Sequence, residues 1–251
     1  MTFGLRGWRS SLALAAVLVV AACSPDRPAA PADTAAAAPA STPADTAAAA
    51  PAVTFEDKFK LGLVLLDADE VAPLIGSVPQ MFGNTYFDIF VPAPGADYSN
   101  PGCTGALTPG MNTTFATSKY QFVAGQRLAD GDVQGLDSTR NATQMLVSFP
   151  SVEDARVVID AARPLWQACG GASMKRTDSD GQTVVTTMGE PVDTKYGLAM
   201  LNIAEGGDGW RCGRALGSYS SVVADVMVCG NEATTDQAVA VQEAIFRKIK
   251  V

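Results

Sequence analysis

Cysteine is the residue that most limits how this chain can fold. Five are present, Cys23, Cys103, Cys169, Cys212 and Cys229, and the 251 residues contain no histidine. No two of the cysteines form a CxxC knuckle, and no imidazole is available to complete a mixed site, so the usual zinc sites lack their ligands. Nucleophile–base pairs that depend on histidine are excluded for the same reason. What remains for the sulfurs is reactivity, modification or cross-linking, and the choice among these depends on the redox compartment.

The N-terminus points to that compartment. Residues 1–22 read as a signal peptide: Arg6 and Arg9 open it, and Ser11 to Ala22 is apolar but shorter than the roughly 20 residues a bilayer span needs. Val20-Ala21-Ala22-Cys23 resembles the bacterial lipobox, in which the cysteine becomes a lipidated mature N-terminus. Cys23 is therefore the expected lipidation site. That leaves an even set of four cysteines, expected to be oxidised outside the cytoplasm. Loss of Arg6 and Arg9, with no acid in residues 1–22, takes the formal charge from −8 to −10. Such a balance opposes nucleic-acid binding and electrostatic attachment to anionic lipid, so the expected membrane contact is the lipid alone.

Residues 23–54 read as a lipid-anchored, disordered Ala/Pro/Thr linker. PADTAAAAPA occurs at 31–40 and again at 43–52. Recurrent proline stops alanine from building a stable helix, and the stretch buries too little apolar surface to offset its ordering entropy. From 55 to 251 the composition is that of one domain.

Three helices are legible within it. LLDADEVAPLIG has a capping-box start at Asp67 and Glu70, Pro73 inside, and Gly76 as its stop. SVEDARVVIDAARPLWQACGG starts at Ser151, stops at Gly170, and places Val152, Ala155, Val158, Ile159, Ala162, Leu165, Trp166 and Cys169 on one stripe. TTDQAVAVQEAIFRKIK starts at Thr234 or Thr235, with Ala238, Val241, Ile245 and Ile249 inward. Strands are predicted over 120–128, 142–149, 173–177, 182–188, 195–204, 210–217 and 222–229, with Asp180-Gly181 as a hairpin turn. Consecutive strands with short turns imply an α+β class: a two-layer domain, an antiparallel sheet with helices on one face.

The pieces LLDADEVAPLIG, CTGAL, FVAGQRLAD, QMLVSFPSVEDARVVIDAARPLWQACGG, DGWRCGRAL, VADVMVCG and TDQAVAVQEAI cover nearly all of 61–249. Together with four cysteines beside Trp166 and Trp210, they resemble the PknH-like extracellular sensor-domain family of mycobacterial Ser/Thr kinases and the stand-alone lipoproteins that share it. The resemblance implies a two-layer fold, a cleft for a ligand, and disulfides Cys103–Cys169 and Cys212–Cys229. The hairpin arithmetic favours the second pair independently. A two-residue turn at Ser220-Ser221 sets 219 against 222, which puts Cys212 opposite Cys229 as a non-hydrogen-bonded pair at disulfide distance. Cys103 is then left for Cys169.

The expected function is an extracytoplasmic sensor or ligand-binding module, anchored to the outer face of the cytoplasmic membrane, binding a small molecule or envelope component without catalysis, metal or cofactor. The alternative is an envelope interaction or assembly module without a small-molecule ligand. Candidate ligand-binding residues are Tyr86, in a less regular stretch able to line a cleft, Trp210, and the polar groups Arg127, Gln144 and Arg211 on candidate strands. The lipidation expectation is tested by labelled palmitate: the wild-type chain takes up label in the bacterial envelope and Cys23→Ser does not, whereas a labelled variant contradicts the assignment.

Overall fold

The computed structural model describes residues 51–78, 81–131 and 138–249. The expected signal peptide, Cys23 and the repeats up to residue 50 lie outside the described residues. Helices α1 (Lys58–Gly62) and α2 (Ala68–Ile75) come first, followed by strand β1 (Phe82–Tyr86) and the two-residue strand β2 (Asp97–Tyr98). A short 3-10 turn (Pro101–Cys103) leads into α3 (Thr104–Leu107) and α4 (Asn112–Phe115), then β3 (Phe122–Ala129) and β4 (Arg140–Ser148). The long helix α5 (Val152–Cys169) precedes β5 (Ser173–Thr177), β6 (Thr183–Met188), β7 (Val192–Asp193), β8 (Gly197–Ala204), β9 (Arg211–Tyr219), β10 (Val222–Gly230) and α6 (Thr235–Ile249).

The strands form one sheet in the order β1-β3-β4-β10-β9-β8-β6-β5-β2, with β7 paired to β8. Every pairing between these strands is antiparallel. The α+β class and the antiparallel sheet are as expected, but the layering differs. Helices cover both faces, so the sheet is the middle of three layers. On one face Ala124, Ala142, Leu146, Ala215, Val226 and Val228 pack with the buried stripes of α2 and α6. On the other, Val123, Met145, Val147, Met200, Leu216 and Val223 pack with α5, where Ala155, Val158, Ile159, Ala162 and Trp166 are buried. The physical reason is in β4 and β10, which are buried at nearly every position. A strand with apolar groups on both sides needs cover on both.

Local signals placed the helices well. Asp67 accepts from the Glu70 N–H at 2.9 Å while Glu70 Oε2 accepts from the Asp67 N–H at 2.9 Å, a complete capping box. Gly76 ends α2 in the left-handed region at φ 68°, where glycine carries no Cβ penalty. Ser151 caps α5 through the Asp154 N–H. Leu165 departs from the expected stripe and is exposed, while Trp166 beside it is buried. At α6, Thr234 and Gln237 cap each other reciprocally, and Ala238, Val241, Ile245 and Ile249 face inward.

The hairpin of β9 and β10 has the expected register: Tyr219 faces Val222 and Cys212 faces Cys229. Ser220 takes the left-handed conformation at φ 54°. Both disulfides are present, Cys103–Cys169 with Cα atoms 5.8 Å apart and Cys212–Cys229 with Cα atoms 4.1 Å apart. Pro51 and Val53 contact the β9–β10 turn. The Val53 N–H donates to Ser220 Oγ at 2.9 Å and to Ser221 Oγ at 3.0 Å, and Ser220 and Ser221 donate to the Pro51 and Val53 carbonyls. The incoming chain is thus strapped to the β9–β10 turn.

Asp130 closes the end of β3. Its carboxylate accepts from the Thr139 N–H (2.8 Å), the Arg140 N–H (2.7 Å) and the hydroxyls of Thr139, Ser138 and Ser77. Burial alone would raise its pKa, but the Arg140 N–H and the three hydroxyls outweigh burial and hold it below the ordinary 3.8. A lowered carboxyl pKa contributes stability above the unfolded value, and that stability is lost as pH falls through the folded one. Asp130→Asn is expected to cost about 1–3 kcal/mol at pH 7 and to flatten the acid side of the stability profile below about pH 4, measured by urea unfolding at pH 7 and pH 3.

Candidate ligand cleft

The strongest concentration of buried polar groups lies on the α5 face of the sheet. Arg214 of β9 and Asp225 of β10 are both fully buried and form an ion pair at 2.8 Å. In the hairpin register Arg214 faces Met227 and Asp225 faces Leu216, so the two charges are diagonal neighbours on one face. The guanidinium also donates to the carbonyls of Gly105 (2.9 Å), Ala106 (3.3 Å) and Val226 (3.1 Å). Its plane lies over the Trp166 ring of α5, 5.4 Å from the centroid. Asp225 accepts from the Gly110 N–H at 2.8 Å. Gly110 has φ 70°, and a Cβ there would lie 2.5 Å from Met145, so only glycine brings this N–H to the carboxylate. Burial pushes the Asp225 carboxyl above its ordinary value, and the Arg214 charge, the Gly110 N–H and the Arg214 hydrogen bond pull it partway back.

A third buried group joins this network. Asn202 of β8 is 2 % exposed and donates from Nδ2 to the Ala106 carbonyl at 3.1 Å. Arg214, Asp225 and Asn202 therefore hold residues 105–110 against the sheet by their backbone. The Cys103–Cys169 disulfide ties the start of the same segment to the end of α5.

Held in this way, the segment forms one wall of a cleft of about 350 Å³. Leu107 and Thr108 supply the wall, and Trp210, from the turn between β8 and β9, borders the cleft. The floor is sheet: Met227, Cys212, Asn202, Ala204, Thr186, Val184 and Arg176, drawn from β10, β9, β8, β6 and β5. No α5 residue lines it. The Cys212–Cys229 bridge thus staples the floor. Arg176 at the rim pairs with Asp178 at 3.1 Å. The lining is mostly apolar with a few polar groups, the composition of a small-molecule site.

Of the expected ligand residues, Trp210 lines this cleft. Gln144 lies on the α6 face, fully buried, with Oε1 accepting from the Leu66 N–H (2.9 Å) and Nε2 donating to the Leu66 carbonyl (3.0 Å). It fixes the entry to α2. Arg211 also falls on the α6 side of β9, by alternation with Cys212, and its Nε donates to the Gly209 carbonyl at 3.2 Å. Arg127 is half-buried on β3, paired in register with Asn84 and Thr143, outside the cleft. Tyr86 closes β1 at the sheet's edge, with its ring edge-on to Phe90 at 5.0 Å. The residues missed were Asn202, Arg176 and Thr186. A polar Asn202 between apolar neighbours in GLAMLNIA was the available signal. Among the described residues, no group of three or more Asp, Glu, Cys or His side chains is placed to hold a metal. No described helix is long and apolar enough to cross a membrane.

Fold and site together define a disulfide-tied, antiparallel α+β domain with a preformed cleft on one sheet face. The family model described as "PknH-like extracellular domain" matches residues 57–248, and the chain belongs to that family. It is similar to the serine/threonine-protein kinases PknH of Mycobacterium bovis and of Mycobacterium tuberculosis (strain H37Rv), 25% identical over 190 residues in each case. These matches cover 76% of this chain but 31% and 29% of the kinases, so the chain spans less than a third of the length of those relatives. The crystal structure of the extracellular domain of PknH from Mycobacterium tuberculosis superposes with a TM-score of 0.69 at 23% identity, covering 77% of this chain and 97% of that one. This likeness establishes the fold.

The buried pair yields a stability test. Arg214→Met leaves Asp225 buried without its cation and is expected to cost about 3–5 kcal/mol, while Arg214→Met with Asp225→Leu recovers most of that loss. Urea unfolding of the unreduced domain measures both. A double variant no more stable than the single one contradicts the role assigned to the pair.

Proposed function

We propose that this chain is a lipid-anchored envelope protein whose PknH-like domain acts outside the membrane as a sensor, binding a small molecule or envelope component in the cleft between Leu107 and Trp210. The observation that carries the reading is the cleft's construction. Its volume, about 350 Å³, falls within the few-hundred to thousand Å³ typical of small-molecule sites. Its wall is fixed by buried polar contacts to main chain, a costly arrangement that preforms a binding surface.

Two further features support it. The family is one of extracellular domains, which suits the oxidised cysteines and the signal read in residues 1–22. The strap at Ser220 and Ser221 holds the incoming chain at one end of β9, and Cys212 lies seven positions away, roughly 24 Å at strand rise. The cleft thereby lies at the opposite end of the hairpin from the strap, where bound ligand and strap do not compete for space.

A thermal-shift screen of cell-wall fragments, lipids and small metabolites tests this reading. A ligand present at about a hundred times its Kd stabilises the fold by about 2.7 kcal/mol. The expected hit raises the melting temperature of the wild type and not of Ala204→Trp, whose side chain fills the cleft. Absence of any hit, or a shift retained in Ala204→Trp, contradicts the proposal.

A further inference from the structure

The chemistry of the cleft narrows what it takes. Asn202 is 2 % exposed, lines the floor, and has its Nδ2 committed to the Ala106 carbonyl. That bond fixes the orientation of the amide, because Nδ2 donates and Oδ1 must accept. Oδ1 is buried and finds no donor among the described residues. A buried acceptor without a partner costs about 1–3 kcal/mol, recovered when a ligand supplies the missing N–H or O–H. The Ala106 carbonyl also accepts from Arg214, so the wall does not depend on Asn202 alone.

The rest of the lining sets the body and the charge of the ligand. Trp210, Leu107, Val184, Ala204 and Met227 offer an apolar surface, and an indole is a broad planar group suited to contact with a flat one. Among the described residues, Arg176 is the one charged side chain in the lining, and its guanidinium is already paired with Asp178. Among the described residues the lining holds no carboxylate, and Asp178 beside it is taken by Arg176, so a desolvated ammonium is strongly disfavoured there.

We propose that the cleft selects an uncharged molecule with a flat apolar body and one amide or hydroxyl donor, which it presents to Asn202 Oδ1 while the body lies against Trp210. This inference rests on the reading of the cleft as a ligand site. Asn202 is the specificity-determining residue. A site built around a buried acceptor discriminates sharply against analogues that lack the donor, because binding them leaves the acceptor buried and unpaired.

Three probes differing in one group test it: naphthalene-2-carboxamide, its N,N-dimethyl amide, and naphthalen-2-ylmethylammonium. Each is titrated into the unreduced, nitrogen-15-labelled domain, following the Trp210 indole N–H and the Asn202 side-chain amide by NMR. The wild type is expected to bind the primary amide about tenfold or more tightly than the dimethyl amide, with the ammonium weakest. In Asn202→Leu the ratio between the two amides falls to near one, while binding of the naphthalene body persists. The wild-type comparison needs no variant, so poor folding of Asn202→Leu leaves the test intact. Equal affinity for the two amides, or an ammonium that binds as well as the amide, overturns the ligand class and leaves the cleft as a binding site. Silence of all three probes beside thermal-shift hits of other chemistry also overturns the class alone. Silence of every compound overturns the binding reading with it.

Discussion

The fully buried ion pair of Arg214 and Asp225 is the interaction on which the rest of the α5 face depends. Stripping two charges of water costs several kcal/mol per ion, and the mutual attraction offsets this only when geometry and extra hydrogen bonds are good. Here both ions make further hydrogen bonds. The guanidinium reaches three main-chain carbonyls and the face of Trp166, and the carboxylate takes the Gly110 N–H. Four pieces of the fold meet at one point: β9, β10, α5, and α3 with the turn that follows it. An apolar pair of similar size could fill the same space. It could not pin the backbone of residues 105–110 at a fixed height above the sheet, and that height defines the wall of the cleft.

The two disulfides act in the same direction by covalent means. Cys103–Cys169 holds the start of that segment to the end of α5, and Cys212–Cys229 locks two strands that contribute to the floor. Closing loops of 66 and 17 residues is worth about 4 and 3 kcal/mol on chain-entropy grounds. The far end of the same hairpin receives the incoming chain through Ser220 and Ser221. One pair of strands therefore holds the chain around Val53 at its turn and the proposed site at its open end.

Much of this organisation was legible in the sequence because its signals are local. The capping box of α2, the serine cap of α5 and the inward stripe of α6 are each written within a few residues. The β9–β10 register followed from one turn. The both-face cover was not read, although VVADVMVCG and RNATQMLVS lack the strict alternation of a half-exposed strand. Strand β1, FGNTY, went unseen because it lies at the sheet's edge and is mostly exposed, so it carries no apolar period. The candidate site was read less well, for one physical reason. Alternation along a strand decides which polar group enters the cleft, and it admits Asn202 and Cys212 while sending Arg211 and Gln144 to the opposite face. Arg214 and Asp225 were also within reach, since the register that paired the cysteines sets them diagonally on one face of a hairpin otherwise rich in apolar residues.

The central claim is that buried polar contacts hold residues 105–110 as a fixed wall, and native-state hydrogen exchange of the Gly110 amide tests it most directly. Bonded to Asp225 Oδ2 beneath a closed face, this proton is predicted to exchange as slowly as the amides of central strands β4 and β10, through global unfolding alone. Exchange at the rate of an exposed loop, with β4 and β10 still protected, would show that the wall opens on its own and would contradict the account.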